Sequence, residues 1–196
     1  GGESVTDSQG LHEIEAMTHG AVNVELRNVF QWNYAGISRA NFILENKDNI
    51  DFEGKNQIIA EATFLRAYYY FQLVKYFGDV PLVIDKRLGA DEVTEIKRSS
   101  KLEVYAQIET DLNFAAVTLN PVNPVKGRIN KWAALALLGK VQLYQNKFSE
   151  SATSLDQVIN SMQYQLISDF RSLFTVGNEG HSESVFDIQY SGLEGG

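Results

Sequence analysis

The side chains able to do covalent or metal chemistry are few and scattered. The three histidines, His12, His19 and His181, share no i, i+3 or i, i+4 spacing, and no His-Glu-x-x-His occurs, so no two imidazoles are offered to one zinc ion. There is no cysteine, which removes thiolate ligands, disulfides and cysteine nucleophiles and leaves the redox compartment open. No Gly-x-Ser-x-Gly elbow is present. Gly78 and Gly127 fall in turns, not in a phosphate-cradling loop ahead of a helix. Among 25 carboxylates some must be neighbours by chance, but Glu13/Glu15 and Asp91/Glu92/Glu95 read as solvated faces and loops. No two stand out as the pair that glycoside hydrolysis needs across a cleft. No catalytic residue, metal or cofactor is therefore assigned. What remains is noncovalent recognition, for which Asn23, Arg27, Asn28 and Trp32, ahead of the first strong helix, offer amide, guanidinium and indole groups. Each also has a plainer reading: Trp32 as packing at a helix start, Asn23 and Arg27 as ordinary solvent-exposed residues.

Composition narrows the partners. The chain has 196 residues, 44% hydrophobic and 21% charged, which suits a packed domain. Only 3 prolines and no long polar tract argue against disorder. A formal net charge of −8 repels phosphate backbones, so nucleic-acid binding is not expected. No Lys/Arg-rich helix suggests adsorption to a membrane surface, and no apolar run approaches the ~18 residues of a spanning helix. The chain opens Gly1-Gly2-Glu3-Ser4, which reads as an internal start and leaves export open.

The elements that would position any site are helical. Apolar residues recur at helical spacing over residues 22–45, with a helix expected from about Val29 and 22–28 left open. Gly36 weakens that helix by about 1 kcal/mol relative to alanine. After a polar turn at 46–54, residues 54–77 form the strongest helical pattern. Gly78 can take positive φ past the last turn and Pro81 forbids continuation. Asp79 is expected to organise that turn through its side-chain oxygen. Residues 80–84 read as extended and 85–99 as a charged loop. Ser100-Lys-Leu-Glu103 matches a capping box, opening a helix to about Leu119 with Leu102, Tyr105, Ile108, Leu112 and Ala115/Ala116 on one face. Pro121 and Pro124 bound a loop. Helices follow over 129–144 and 148–162, broken at Asn146, then one helical turn at 169–174. Alternation over 185–190 predicts a strand.

The run Tyr68-Tyr69-Tyr70-Phe71 poses a choice between a binding platform and a core. On a helical wheel, Glu61, Gln72, Lys75 and Tyr68 share one narrow sector while nearly every other position of 60–77 is apolar. A helix apolar almost all round is buried on several sides, so the aromatics are expected mainly in the core. Arg66 lies opposite Lys75 among apolar neighbours, and a guanidinium there has to be paired and hydrogen-bonded.

Paired helices joined by short turns predict antiparallel hairpins stacked side by side. Residues 135–158 fit the tetratricopeptide pattern: Leu138-Gly139 in the first helix, Asn146 at the turn, then Phe148, Ser151, Leu155 and Val158. Gln142 stands where an aromatic is usual. A generic helical hairpin would give some of these matches too.

Several ordered blocks then carry a family resemblance. "AEATFLRAYYYFQLVKYFGDVPLV" resembles the most recognisable block of the SusD/RagB family, surface nutrient-binding lipoproteins of Bacteroidetes. "WNYAGISRANFILEN" is similar to the helix before it. Downstream come "SSKLEVYAQIETDLNFAAVTLNP", "KGRINKWAALALLGKVQLYQNKFSESATSLDQVI", "YQLISDFRSLFTVGNE" and "ESVFDIQYS", similar blocks in the family's order. The resemblance implies an all-α fold, a tetratricopeptide-like superhelix of stacked hairpins with short extended segments. It implies a non-enzymatic protein of the bacterial outer membrane that holds an oligosaccharide or peptide above a SusC-like TonB-dependent porin. The lipid-bearing cysteine of the family is absent from this chain. Residues 1–196 are expected to be a single amino-terminal helical domain of a longer chain, with many ligand contacts lying in the second half. In resembling proteins the segment leading into the helix at Trp32 can border the glycan site, which brings Asn23, Arg27 and Trp32 forward as ligand-binding candidates. Arg66, Gly78, Asp79 and Pro81 are expected to be structural. The alternative class is a tetratricopeptide adaptor for protein segments, which should show three or more regular repeats. A helical glycosidase, a third reading, would hydrolyse the glycan it binds.

Overall fold

The structure, a computed structural model, describes residues 8–189 apart from 85, 90, 124, 126 and 176. Its helices are α1 (Gln9–Glu15), α2 (Val24–Glu45), α3 (Lys55–Phe77), α4 (Lys101–Thr118), α5 (Lys131–Tyr144) and α6 (Phe148–Asn160), with 3₁₀ turns at Val93–Glu95 and Phe170–Phe174. Packing is sequential: α2 on α3, α3 on α4, α4 on α5 and α5 on α6. Each helix contacts mainly its chain neighbours, the pattern of a stacked-hairpin, tetratricopeptide-like fold.

Local chemistry sets the boundaries. The Ser100 hydroxyl accepts from the Glu103 amide while the Glu103 carboxylate accepts from the Ser100 amide at 2.7 Å, so the expected capping box opens α4. These bonds hold the exposed Glu103 carboxyl below its usual range. Asn130 caps α5 by accepting from the Ala133 amide. Gly78 ends α3 at φ 67°, ψ −118°, a conformation glycine alone takes easily. Asp79 does not organise its own turn as expected. Its Oδ1 accepts from the Lys101 amide at 2.7 Å, 22 residues on, and so satisfies a free donor at the start of α4.

Two glycines allow close approach. A Cβ on Gly36 would lie 2.3 Å from the Tyr69 ring, and one on Gly139 2.6 Å from Leu155. The Ser151 hydroxyl donates to the Gly139 carbonyl at 2.8 Å, and that of Ser154 donates to the Gln142 side chain at 2.8 Å. Gln142, in place of the usual aromatic, is thus a polar link inside the α5–α6 hairpin.

The aromatic run divides by position. Tyr70 and Phe71 are fully buried, Tyr68 and Tyr69 half-buried, and Tyr76 exposed at the last turn. Arg66, 8% exposed, donates from Nε and Nη2 to the two Asp111 oxygens at 2.8 and 2.7 Å, and from Nη1 to the Ile84 carbonyl at 2.7 Å and the Asn41 amide oxygen at 3.2 Å.

The expected strand at 185–190 and the expected placement of Leu102 on the apolar face of α4 are corrected. The 185–189 segment forms no strand: consecutive Val185 and Phe186 both pack toward the core, whereas strand neighbours point to opposite faces. Phe186 meets Phe64 and Tyr68 edge-on at 5.2 and 6.1 Å. Tyr190, Pro124 and Asp85 lie outside the described residues. Leu102 is exposed, because it sits at the margin of the α4 stripe, about 80° from Leu112. Glu61, in the wheel sector of Gln72 and Lys75, is buried and held by Arg128, with Gln57 at 2.9 Å and Asn123 at 3.3 Å. Helix α2 begins at Val24, ahead of Val29, because Asn23 caps it.

Removing one member of the Arg66–Asp111 pair leaves a buried charge alone. Arg66→Met or Asp111→Leu is expected to cost about 3–5 kcal/mol in denaturant unfolding, with the double variant recovering part of that loss. Strict additivity would show the pair uncoupled. Gly78→Val is expected to lose about 1–3 kcal/mol and to lower the melting midpoint. An unchanged melting curve would contradict the positive-φ stop. Gly36→Ala should destabilise, against a helix preference of about 1 kcal/mol in its favour. Combining it with Tyr69→Ala should reverse the sign relative to Tyr69→Ala alone.

Candidate functional site

Helix α2 presents two different surfaces, and the three candidate ligand residues divide between and beneath them. Asn23 is 4% exposed, not solvent-facing as expected. Its Oδ1 accepts from the Glu25 and Leu26 amides at 3.0 and 3.1 Å, and its Nδ2 donates to the Gly10 carbonyl at 2.9 Å and to Glu13 at 3.0 Å. The whole amide is engaged in joining α1 to α2, because an N-cap asparagine meets two otherwise free donors. Arg27 is exposed. Trp32 is 68% exposed, so of its two readings the structure takes the solvent-facing one.

Five residues of helix separate Arg27 from Trp32 by about 140° around the axis, so the two do not share a face. The stripe through Trp32 instead carries Asn28 one turn before it and Arg39 two turns after it. Arg39 makes no ion pair among the described residues. It was missed in the sequence, where its i+7 spacing from Trp32 was the available signal. An indole face with an amide and a guanidinium along one rigid stripe can stack on a sugar ring and hold its hydroxyls.

On the opposite side of α2 lies an apolar groove of about 310 Å³, walled by Phe30, Tyr34 and Ile37 from α2, Pro81 and Val83 from the crossing segment, and Ile96. The cations at its rim are neutralised, Lys86 by Glu92 and Arg87 by Glu45. Contact with Lys86 holds the Glu92 carboxyl below its usual range and the Lys86 ammonium above its own. Pro81 both stops the helix and accepts the Tyr34 hydroxyl on its carbonyl at 2.6 Å. Burial pushes the Tyr70 hydroxyl up to about 12, and burial with Tyr70 nearby pushes Tyr34 up as well. Both are neutral donors at physiological pH, tied to backbone.

The titratable groups are arranged for structure. Among the described residues no three His, Cys, Asp or Glu side chains gather as a metal site. The buried carboxylates Asp111 and Glu61 are each clamped by an arginine. The His181 Nδ1 accepts from the Glu183 amide at 3.2 Å, stabilising a local turn. No helix among the described residues is long and apolar enough to cross a membrane.

Residues 3–143 match the SusD-like family model for starch-binding proteins associating with the outer membrane. The chain is 32% identical over 186 residues to the SusD-like protein P2 of Formosa agariphila, covering 92% of this chain and 37% of that protein. A solved laminarin-binding SusD-like protein superposes with a TM-score of 0.88 at 34% identity, over 95% of this chain and 42% of that one. A SusD-like carbohydrate-binding protein from Bacteroides fragilis superposes at 0.87 with 27% identity, over 94% and 37% of the two chains. The chain spans about a third of the length of the curated relatives it matches. With the stacked helices, the aromatic block of α3 and a family match running from residue 3 to 143, the chain belongs to the SusD-like family.

Proposed function

We propose that the protein captures an oligosaccharide at the outer surface of the bacterial outer membrane and delivers it, unhydrolysed, to a SusC-like TonB-dependent porin. In this reading residues 1–196 are the amino-terminal helical domain of a longer surface lipoprotein, and the lipid anchor belongs to a part of the protein outside this chain. The observation that carries the proposal is the exposed indole of Trp32 on a rigid helix, in a chain 34% identical to a laminarin-binding SusD-like protein. Asn28 and Arg39 extend that surface along the helix. Arg27 lies on a different face and is outside this surface, and Asn23 acts only through the position of α2. Capture without turnover fits the absence of a metal-ligand or nucleophile motif in the sequence and the binding character of the family. A tetratricopeptide adaptor is less well supported, because the full hairpin signature is legible once, in α5–α6, and not in three or more repeats.

Full-length protein is expected to bind laminarin oligosaccharides in calorimetry and to release no new reducing ends over hours. Trp32→Ala should weaken that binding several-fold, on the scale of ~1 kcal/mol for one aromatic contact, while leaving the melting midpoint unchanged. Unchanged affinity would remove the α2 stripe from the site. Time-dependent hydrolysis abolished by replacing one carboxylate would overturn the non-enzymatic reading.

A further inference from the structure

The carboxyl-terminal turns of α3 and α5 meet beside the first turns of α4. There the buried Phe71 packs edge-on to Tyr144 at 5.2 Å and lies 6.4 Å from Tyr105. The Lys75 ammonium stands over the Phe71 ring at 4.8 Å and 5.5 Å from the centre of the Tyr76 ring. Lys140 lies one turn before Tyr144 on the same face of α5. Neither Lys75 nor Lys140 has a carboxylate partner among the described residues, although the chain carries 25 acidic side chains against 17 lysines and arginines. Half-burial and the nearby Lys140 charge push the Lys75 ammonium below its usual range. Two like charges held together without a counter-ion repel, and one anion placed between them relieves both.

The surroundings limit what that anion is attached to. Tyr76 and Tyr144 are 63% and 53% exposed, and the hydroxyls of Tyr76, Tyr105 and Tyr144 have no hydrogen-bond partner among the described residues. Exposed aromatic faces next to free phenol donors suit a sugar ring, whose apolar face stacks and whose hydroxyls accept and donate. We propose that Lys75 and Lys140, with Tyr76 and Tyr144, form a second subsite that binds an oxyanion carried on a sugar ring, a uronate carboxylate or a sulfate ester. This extends the proposed glycan capture and rests on it. The subsite is built on α3 and α5, whereas the Trp32 stripe lies on α2, so the two are separable by mutation.

The test uses full-length protein and calorimetry with four probes: tetragalacturonate, a sulfated laminarin oligosaccharide, the neutral laminarin oligosaccharide and sodium sulfate. Wild type is expected to bind at least one anionic sugar, more weakly as salt rises. Lys75→Gln/Lys140→Gln should lose at least tenfold of that affinity and keep its affinity for the neutral sugar. The substitutions remove both the repulsion and the contact of Lys75 with the Phe71 ring, which offset each other, so the melting midpoint of the unliganded double variant should stay close to that of wild type. Should the double variant fold poorly, Lys140→Gln alone, at an exposed position, should still lose about threefold. The proposal is overturned if wild type binds neither anionic sugar, if only sodium sulfate binds, or if the lysine variants bind the anionic sugars as wild type does. Loss of neutral laminarin binding in wild type, with the lysine-dependent anionic binding retained, would defeat the Trp32 reading and leave this one standing.

Discussion

Between α3 and α4 the chain crosses the helical stack in a segment buried or half-buried over residues 80–84, and side chains of α2 and α3 satisfy its backbone. Among the described residues the pairing there is one antiparallel bridge between Val80 and Ser99. Side chains from the helices do the rest. Tyr34 donates to the Pro81 carbonyl, Tyr70 donates to the Val83 carbonyl and accepts from the Val83 amide, and Asn41 donates to the same carbonyl. Arg66 donates to the Ile84 carbonyl. Each of these groups left unsatisfied would cost about 1–3 kcal/mol. Arg66 is the hub, since its remaining donors reach Asp111 on α4 and Asn41 on α2 and so tie three helices to one segment.

That constraint explains why so aromatic a helix is not a ligand platform over most of its length. Tyr70 has to be long enough to reach across to Val83, and it needs a hydroxyl at its tip; Phe71 fills the layer toward α4 and α5. Tyr69 packs over Gly36, so the glycine that looks like a weakness in α2 is the position where two helices approach through one ring. The same logic recurs at Gly139, where Leu155 occupies the space of a side chain. Close packing at two glycines and a polar hub at Arg66 tie α2 firmly to the stack, which fixes the place of the α2 backbone that carries Trp32.

The surface chemistry follows from what this scaffold leaves unused. On α2 the inward side is committed to the crossing segment and the groove, and the outward side is left with Asn28, Trp32 and Arg39. At the far ends of α3 and α5 the tyrosine hydroxyls and lysine ammonium groups have no hydrogen-bond or carboxylate partner among the described residues. The contrast between Tyr34 and Tyr70, both bonded to backbone, and Tyr76 and Tyr144, both open to solvent, separates structural aromatics from those available to a ligand.

Local pattern alone determined α3 to α6 and the body of α2, the Ser100 capping box and the stop at Gly78 and Pro81, because each depends on residues close to one another in the chain; the short α1 carried no such pattern and was not expected. The wheel also required a partner for Arg66, since a guanidinium among apolar neighbours has no other solution, yet it could not name Asp111, 45 residues away. Tertiary structure decided everything that depended on such distant pairing. It moved Asp79 from its own turn to the start of α4, buried Glu61 against Arg128, and turned Val185 and Phe186 inward together in place of a strand. At the candidate site it absorbed Asn23 into a helix cap and left Trp32 in solvent. Periodicity says which residues share a face of a helix, but which face is covered is set by the neighbours that pack on it, and those are chosen by contacts far apart in the chain.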